Sequence, residues 1–155
     1  MDKTNVMRLL DQAGIAYEER VYSPDIVDGV SVAMSLGEDP FCVFKTLVTE
    51  NQDRVNYVFC VPVNGELDLK KAAKAVGAKS ISMIHQKELL PLTGYVHGGC
   101  SPIGMKKRFV TVIDETAIVF EKIFVSGGRK GYQVGINPEK LAEYINAKFV
   151  DIQKS

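Results

Sequence analysis

Two short runs near the middle of the chain, residues 43–49 and 55–61, are dominated by Val, Phe, Thr, Tyr and Leu and flank the polar stretch Glu50-Asn51-Gln52-Asp53-Arg54. Runs of this length and composition on either side of turn-forming residues read as the two strands of a β-hairpin. A hairpin alone is marginal in water, so it commits the rest of the chain to supplying further strands and helices that cover it. The longest apolar stretch, residues 57–63, falls far below the roughly 18 residues of a membrane span.

The flanking segments divide into helices and strands of ordinary length. Val6, Leu9, Leu10 and Ala13 recur at helical spacing, with Thr4 or Asn5 as cap and Gly14 as stop. Residues 16–22 read as extended, and residues 31–36 as a brief helix closed by Gly37. Asp68 caps a helix through Leu69, Ala72, Ala73 and Val76 that ends at Gly77. Residues 80–84 read as extended, and residues 86–90 as a short helix stopped by Pro91. Strands are expected at 108–113, 120–125 and 132–136; Asn137-Pro138 then opens a final helix, and residues 149–152 add a last strand. Helices and strands do not alternate regularly, so the fold expected is α+β, a mixed or antiparallel sheet with packed helices.

At 155 residues the chain is expected to form one domain, residues 1–155, since domains run to about 150 residues. Hydrophobic residues are 46% and charged residues 25%, which excludes disorder and coiled-coil rods. Nineteen Lys+Arg balance nineteen Asp+Glu, so contact with a nucleic acid must come from a local patch. Cys42, Cys60 and Cys100 form no C-x-x-C pair and no disulfide framework. No apolar leader follows the polar start Asp2-Lys3-Thr4-Asn5. The expectation is a cytoplasmic protein that does not enter the membrane.

Among residues that can carry chemistry, Lys45 comes first. Strand alternation sets it on the face of Val43 and Leu47. A lysine among apolar neighbours is paired, shifted in pKa or extended to water; its ordinary role would be to guard an edge strand against aggregation. Two glycine-rich segments, Gly98-Gly99-Cys100-Ser101-Pro102-Ile103-Gly104 and Ser126-Gly127-Gly128-Arg129-Lys130-Gly131, allow backbone to approach a ligand closely, or form tight turns. Neither matches a P-loop or a dinucleotide fingerprint. His97 with Cys100 would make a thiol enzyme only at an unfamiliar spacing, and His85 has no partner nearby. No His/Cys/Asp cluster has metal-ligand spacing, so neither metal nor cofactor is expected. Basic groups Lys70-Lys71-Lys74, Lys106-Lys107-Arg108 and Arg129-Lys130 are solvated faces or anion-binding patches, and the latter two adjoin the glycine-rich segments.

Taken in order, Val43-Phe44-Lys45-Thr46-Leu47, residues 65–79 (GELDLKKAAKAVGAK), Thr93-Gly94-Tyr95, residues 98–107 (GGCSPIGMKK) and residues 125–131 (VSGGRKG) resemble the YbaK/EbsC family of free-standing aminoacyl-tRNA editing domains, specifically its Cys-tRNA(Pro) deacylases. The resemblance spans essentially the whole chain. It implies a mixed, barrel-like β-sheet with surrounding helices, as in the editing insertion of prolyl-tRNA synthetases, and hydrolysis of the ester joining a wrong amino acid to tRNA. It implies an essential role for Lys45, a substrate pocket containing Tyr22, Thr46, Gly98 and Ser126, and aminoacylated tRNA as partner, with prolyl-tRNA synthetase in a ternary complex. Lys106, Lys107, Arg129 and Lys130 become the tRNA contacts. In cysteine-specific members the substrate's own thiol attacks the ester, so no protein nucleophile is required. Two departures bear on specificity: the family's pocket-loop phenylalanine is replaced by Asp28-Gly29-Val30, and an aspartate by Gln133. Editing of another small residue, as in Ala-tRNA(Pro), and a non-catalytic module that binds tRNA or a synthetase stand as the alternatives.

Overall fold

The computed structural model describes residues 2–155. Local chemistry sets most of the element boundaries. The Thr4 hydroxyl accepts from Met7 N–H to start α1 (Asn5–Ala13), and Gly14 ends it at φ +70°. After β1 (Tyr17–Val21), Asp28 caps α2 (Gly29–Leu36), which starts two residues before the position expected, and a 3-10 turn covers Pro40–Cys42. The predicted hairpin is β2 (Phe44–Asn51) and β3 (Asn56–Pro62). Its turn is held by the Asn51 carboxamide oxygen, which accepts from the N–H groups of Asp53 and Val55. Asp68 accepts from Lys70 and Lys71 N–H at the start of α3 (Leu69–Val76).

Then follow β4 (Ile81–Met83) and α4 (Gln86–Thr93). The expected stop at Pro91 does not occur. Pro91 is exposed and forfeits one backbone bond, but the Thr93 hydroxyl donates to the Leu89 carbonyl at 2.8 Å and Gly94 N–H closes on Leu90 at 2.9 Å. Burial of Leu89 and Thr93 holds the last turn in place. The chain finishes with β5 (Val110–Asp114), a 3-10 turn (Glu115–Val119), β6 (Ile123–Ser126), β7 (Tyr132–Ile136), α5 (Pro138–Ile145) capped by Asn137, and β8 (Lys148–Val150).

The strands make two sheets, ordered β1-β7-β6 and β4-β2-β3-β5-β8. The first is antiparallel; the second is mixed, because β3, β5 and β8 run parallel. An α+β fold with a mixed sheet was expected, but the sheets do not close into a barrel. Two partners share one edge here: β4 pairs with Thr49, Glu50 and Asn51 of β2, while β6 meets the residue just before β2 at the single Val43–Phe124 bridge. Between these two points the edge stays open and the sheets splay.

The main core lies between α1, α5 and the first sheet, with Val6, Met7, Leu10, Val125, Val134 and Leu141 sealed inside. A second cluster places Ala72 and Ala73 of α3 over Phe59, Val61 and Val112. A third joins Ala33 of α2 to Cys42, Val43 and Phe124. No helix among the described residues is long and apolar enough to cross a membrane.

Candidate functional site

The open edge of β2 borders a cavity of about 320 Å³. Val43 C=O accepts from Val63 and Asn51 N–H reaches Val55, so the odd-numbered residues of β2 turn their backbone groups toward β3. Phe44 and Thr46 therefore turn theirs to the open edge, and both line the cavity. Phe44 adjoins the bridge to Phe124, whereas Thr46 lies between the two pairings, where no strand consumes its backbone groups and they stay available to a ligand.

The structure brings Lys45, Thr46, Tyr22, Gly98, Ser126 and Lys130 to this one cavity, together with Gln133. Lys45 is half-buried; burial lowers its pKa, and the carboxylate of Glu66 raises it back in part. Tyr22 N–H donates to Gly131 C=O at 2.9 Å, which extends the β1–β7 pairing to the cavity rim. Ser126 and Gln133 face each other across β6 and β7. The Ser126 hydroxyl accepts from Gly128 N–H at 3.1 Å. Gln133 is 7% exposed, and its Oε1 has no hydrogen-bond partner among the described residues. Thr46 contacts the Cys60 thiol.

The two glycine-rich segments pack on one another. A β-carbon at Gly99 would lie 3.1 Å from Lys130 N and 3.2 Å from Arg129 Cα, so side chains are excluded where the backbones cross. Gly98, at φ +89°, lies under the Lys130 side chain. Lys106, Lys107 and Arg129 lie outside the cavity lining but on these same two loops, exposed. None of the ion pairs among the described residues involves Lys106, Lys107, Arg108, Arg129 or Lys130.

Asp28 is not in the lining; its carboxylate accepts from Ser31 N–H, and hydrogen bonding to Ser31 leads in lowering its pKa. The cavity wall that sequence patterns missed is apolar: Ile26, Val27, Val32, Val63 and Leu89. These residues come from several short segments and loops, so no periodicity announces the wall.

Burial pushes the thiols of Cys60 and Cys100 up to about 12, and a thiol held protonated is a poor nucleophile. Neither His85 nor His97 makes a side-chain hydrogen bond among the described residues, so the His97–Cys100 pair has no base-to-thiol contact. No group of three His, Cys, Asp or Glu among the described residues is placed to hold a metal ion.

Comparison with known proteins adds an independent line. The aminoacyl-tRNA editing domain family matches residues 23–144. A protein of Enterococcus faecalis provisionally named Cys-tRNA(Pro)/Cys-tRNA(Cys) deacylase EbsC is 45% identical over 152 residues, covering 97% of this chain and 93% of its own. A proline–tRNA ligase of Thermosipho melanesiensis is 29% identical over 124 residues, which are 79% of this chain and 22% of the ligase. Among solved structures, one described provisionally as a trans-editing enzyme for prolyl-tRNA synthetase superposes with a TM-score of 0.83 at 22% identity, over 99% of this chain and 100% of that one, a likeness of fold. With the family match spanning most of the sequence and the EbsC relative nearly all of it, this chain belongs to the aminoacyl-tRNA editing domain family.

Proposed function

We propose that this editing domain is a trans-acting deacylase that cleaves cysteine from Cys-tRNA(Pro), and also from Cys-tRNA(Cys). The observation that carries this reading is a cavity that combines the Lys45 cation with the open backbone groups of Thr46 and, among the described residues, holds its cysteine thiol protonated. The 45% identity to the EbsC relative supports the choice of cysteine.

An aminoacyl ester is already activated, so orientation and charge stabilisation suffice to break it. In the proposed step the substrate's thiolate attacks its own acyl carbon. The bond from that carbon to the ribose oxygen breaks, and the ribose oxygen takes up the proton released by the thiol. The tRNA leaves with a free terminal hydroxyl; the amino acid leaves as a cyclic thiolactone that water opens. Lys45 holds the acyl carbonyl or the terminal ribose and phosphate, and Tyr22, Thr46, Gly98 and Ser126 line the acyl pocket. Lys106, Lys107, Arg129 and Lys130 receive the acceptor-end phosphates, which set affinity and register and leave the chemistry to the cavity. Prolyl-tRNA synthetase would complete the specificity in a ternary complex.

Single-turnover deacylation of tRNA(Pro) charged with Cys, Ser, Ala or Pro tests the reading. Cys-tRNA(Pro) is expected to react orders of magnitude faster than Ser-tRNA(Pro), because a hydroxyl is far less ionised than a thiol of pKa about 8.5. Equal rates for the two would replace the substrate thiol with a positioned water. Alanyl ester is expected to bind almost as well, because discrimination of small apolar groups is limited to about 1–3 kcal/mol, yet to react at the background rate, having no thiol. Inactivity on all four would leave a binding module in place of an enzyme.

A further inference from the structure

One wall of the cavity is made by residues 24–39, through Ile26, Val27, Gly29 and Val32. This segment bonds almost entirely to itself. Ile26 N–H reaches Ser23, Ser31 and Val32 N–H reach Asp28, Glu38 N–H reaches Ala33, and Cys42 N–H reaches Asp39. At its open end Val27 is 85% exposed. Apolar packing holds it at Ala33, buried with Val43 and Phe124, and at Gly29, where a β-carbon would lie 2.6 Å from Val63 Cγ1.

Among the described residues, the polar ties from this wall to more distant parts of the fold run through one side chain, Arg20 of β1. Its Nη2 donates to the carbonyl of Leu36, the last residue of α2. Its Nη1 meets Glu38 Oε2 at 2.8 Å and Glu18 Oε1 at 3.7 Å. The guanidinium also lies over the ring of Phe124, 5.5 Å from its centroid. Phe124 in turn bridges to Val43 at the root of β2 and packs with Ala33 of α2. In register, Arg20 stands opposite Gln133, which stands opposite Ser126, so it belongs to the cross-strand row that supplies two cavity residues.

We propose that Arg20 is a positioning residue: it locks the α2 wall against the sheet and so sets how large an acyl group the cavity admits. A planar fork is needed for this, because one side chain must donate to a carbonyl, pair with a carboxylate and stack on a ring together. Lysine can satisfy only part of that set. The size-selection half of the inference rests on the deacylase reading above; the locking half does not.

The test uses full-length wild type, Arg20→Met, Arg20→Lys and Glu38→Gln. The inhibition constant of Pro-tRNA(Pro) against Cys-tRNA(Pro) deacylation, divided by that of Ala-tRNA(Pro), gives a size-selection ratio that is read beside amide hydrogen exchange across residues 24–39. Arg20→Met is expected to lower the ratio about tenfold, the scale of one hydrogen bond to a charged group, and to speed exchange in α2. Arg20→Lys should restore part of both, and Glu38→Gln should move both in the same direction by less. If Arg20→Met does not fold, the other two variants carry the test. An equal change in both inhibition constants, or exchange in α2 that stays at the wild-type rate, would overturn the proposal. Wild type inert on every ester would remove the deacylase reading, and exchange would then still decide whether Arg20 holds the wall.

Discussion

Lys45 lies half-buried in β2 with its pKa held below the ordinary 10.5 by burial. A lowered lysine pKa means that the unfolded chain binds the proton more tightly than the native one. Stability therefore carries a penalty below the folded-state pKa, and the penalty is relieved as pH rises from there toward 10.5. Lys45→Met is accordingly expected to be more stable than wild type at pH 7, with the gap closing as pH rises through that window, as followed by urea denaturation. Lys45→Ala should lose deacylation by orders of magnitude while remaining folded; a fully active variant would remove Lys45 from the site. Gln133 is a second residue where stability and function diverge, since an unpartnered buried acceptor costs about 1–3 kcal/mol. Gln133→Met, of similar shape and without that acceptor, is expected to raise stability by roughly 1 kcal/mol in thermal unfolding. The setting of Lys45 among apolar neighbours on β2 could be read from strand alternation. The isolation of Gln133 Oε1 could not, because an unmet hydrogen bond depends on every neighbour in three dimensions.

At the level of elements, boundaries set by local chemistry were readable and those set by packing were not. Thr4, Asp68 and Asn137 cap helices as expected, and Gly14, Gly37 and Gly77 end them at φ near +70°. Capping involves groups two to four residues apart, so sequence contains all of it. Pro91 misled because burial of Leu89 and Thr93, a tertiary effect, carries α4 beyond it to Thr93. Close approaches between elements behave likewise. A β-carbon at Gly135 in β7 would lie 2.7 Å from the Phe124 ring and 2.8 Å from Lys122 Cδ. Gly135→Ala is thus expected to cost about 1–3 kcal/mol of stability, checked by urea unfolding, because a packed core resists even one added carbon.

Across the whole molecule, formal charge sums to zero, yet its distribution is uneven. The ion pairs among the described residues lie elsewhere, while Lys106, Lys107, Arg108, Arg129 and Lys130 gather outside them on the two packed glycine loops beside the cavity. Replacing Lys106 and Lys107 with Gln is expected to weaken tRNA binding and to flatten its salt dependence, by about 0.7 in log–log slope for each phosphate that is no longer neutralised. The single-turnover rate at saturating enzyme should stay near wild type; a large fall there with unchanged binding would move these lysines into the reacting site. By itself the sequence determined the hairpin, the helix caps, the α+β class and which polar residues, Tyr22, Lys45, Thr46, Gly98 and Ser126, would gather at one cavity, since periodicity, capping and motif order are local properties of a chain. Tertiary structure alone decided that β2 would be shared between β4 and β6, leaving an open edge in place of a barrel seam. It alone set the apolar wall from residues 24–39 across that gap. Both depend on segments far apart in sequence meeting in space, where packing volume and unfilled hydrogen bonds, rather than residue spacing, select the arrangement.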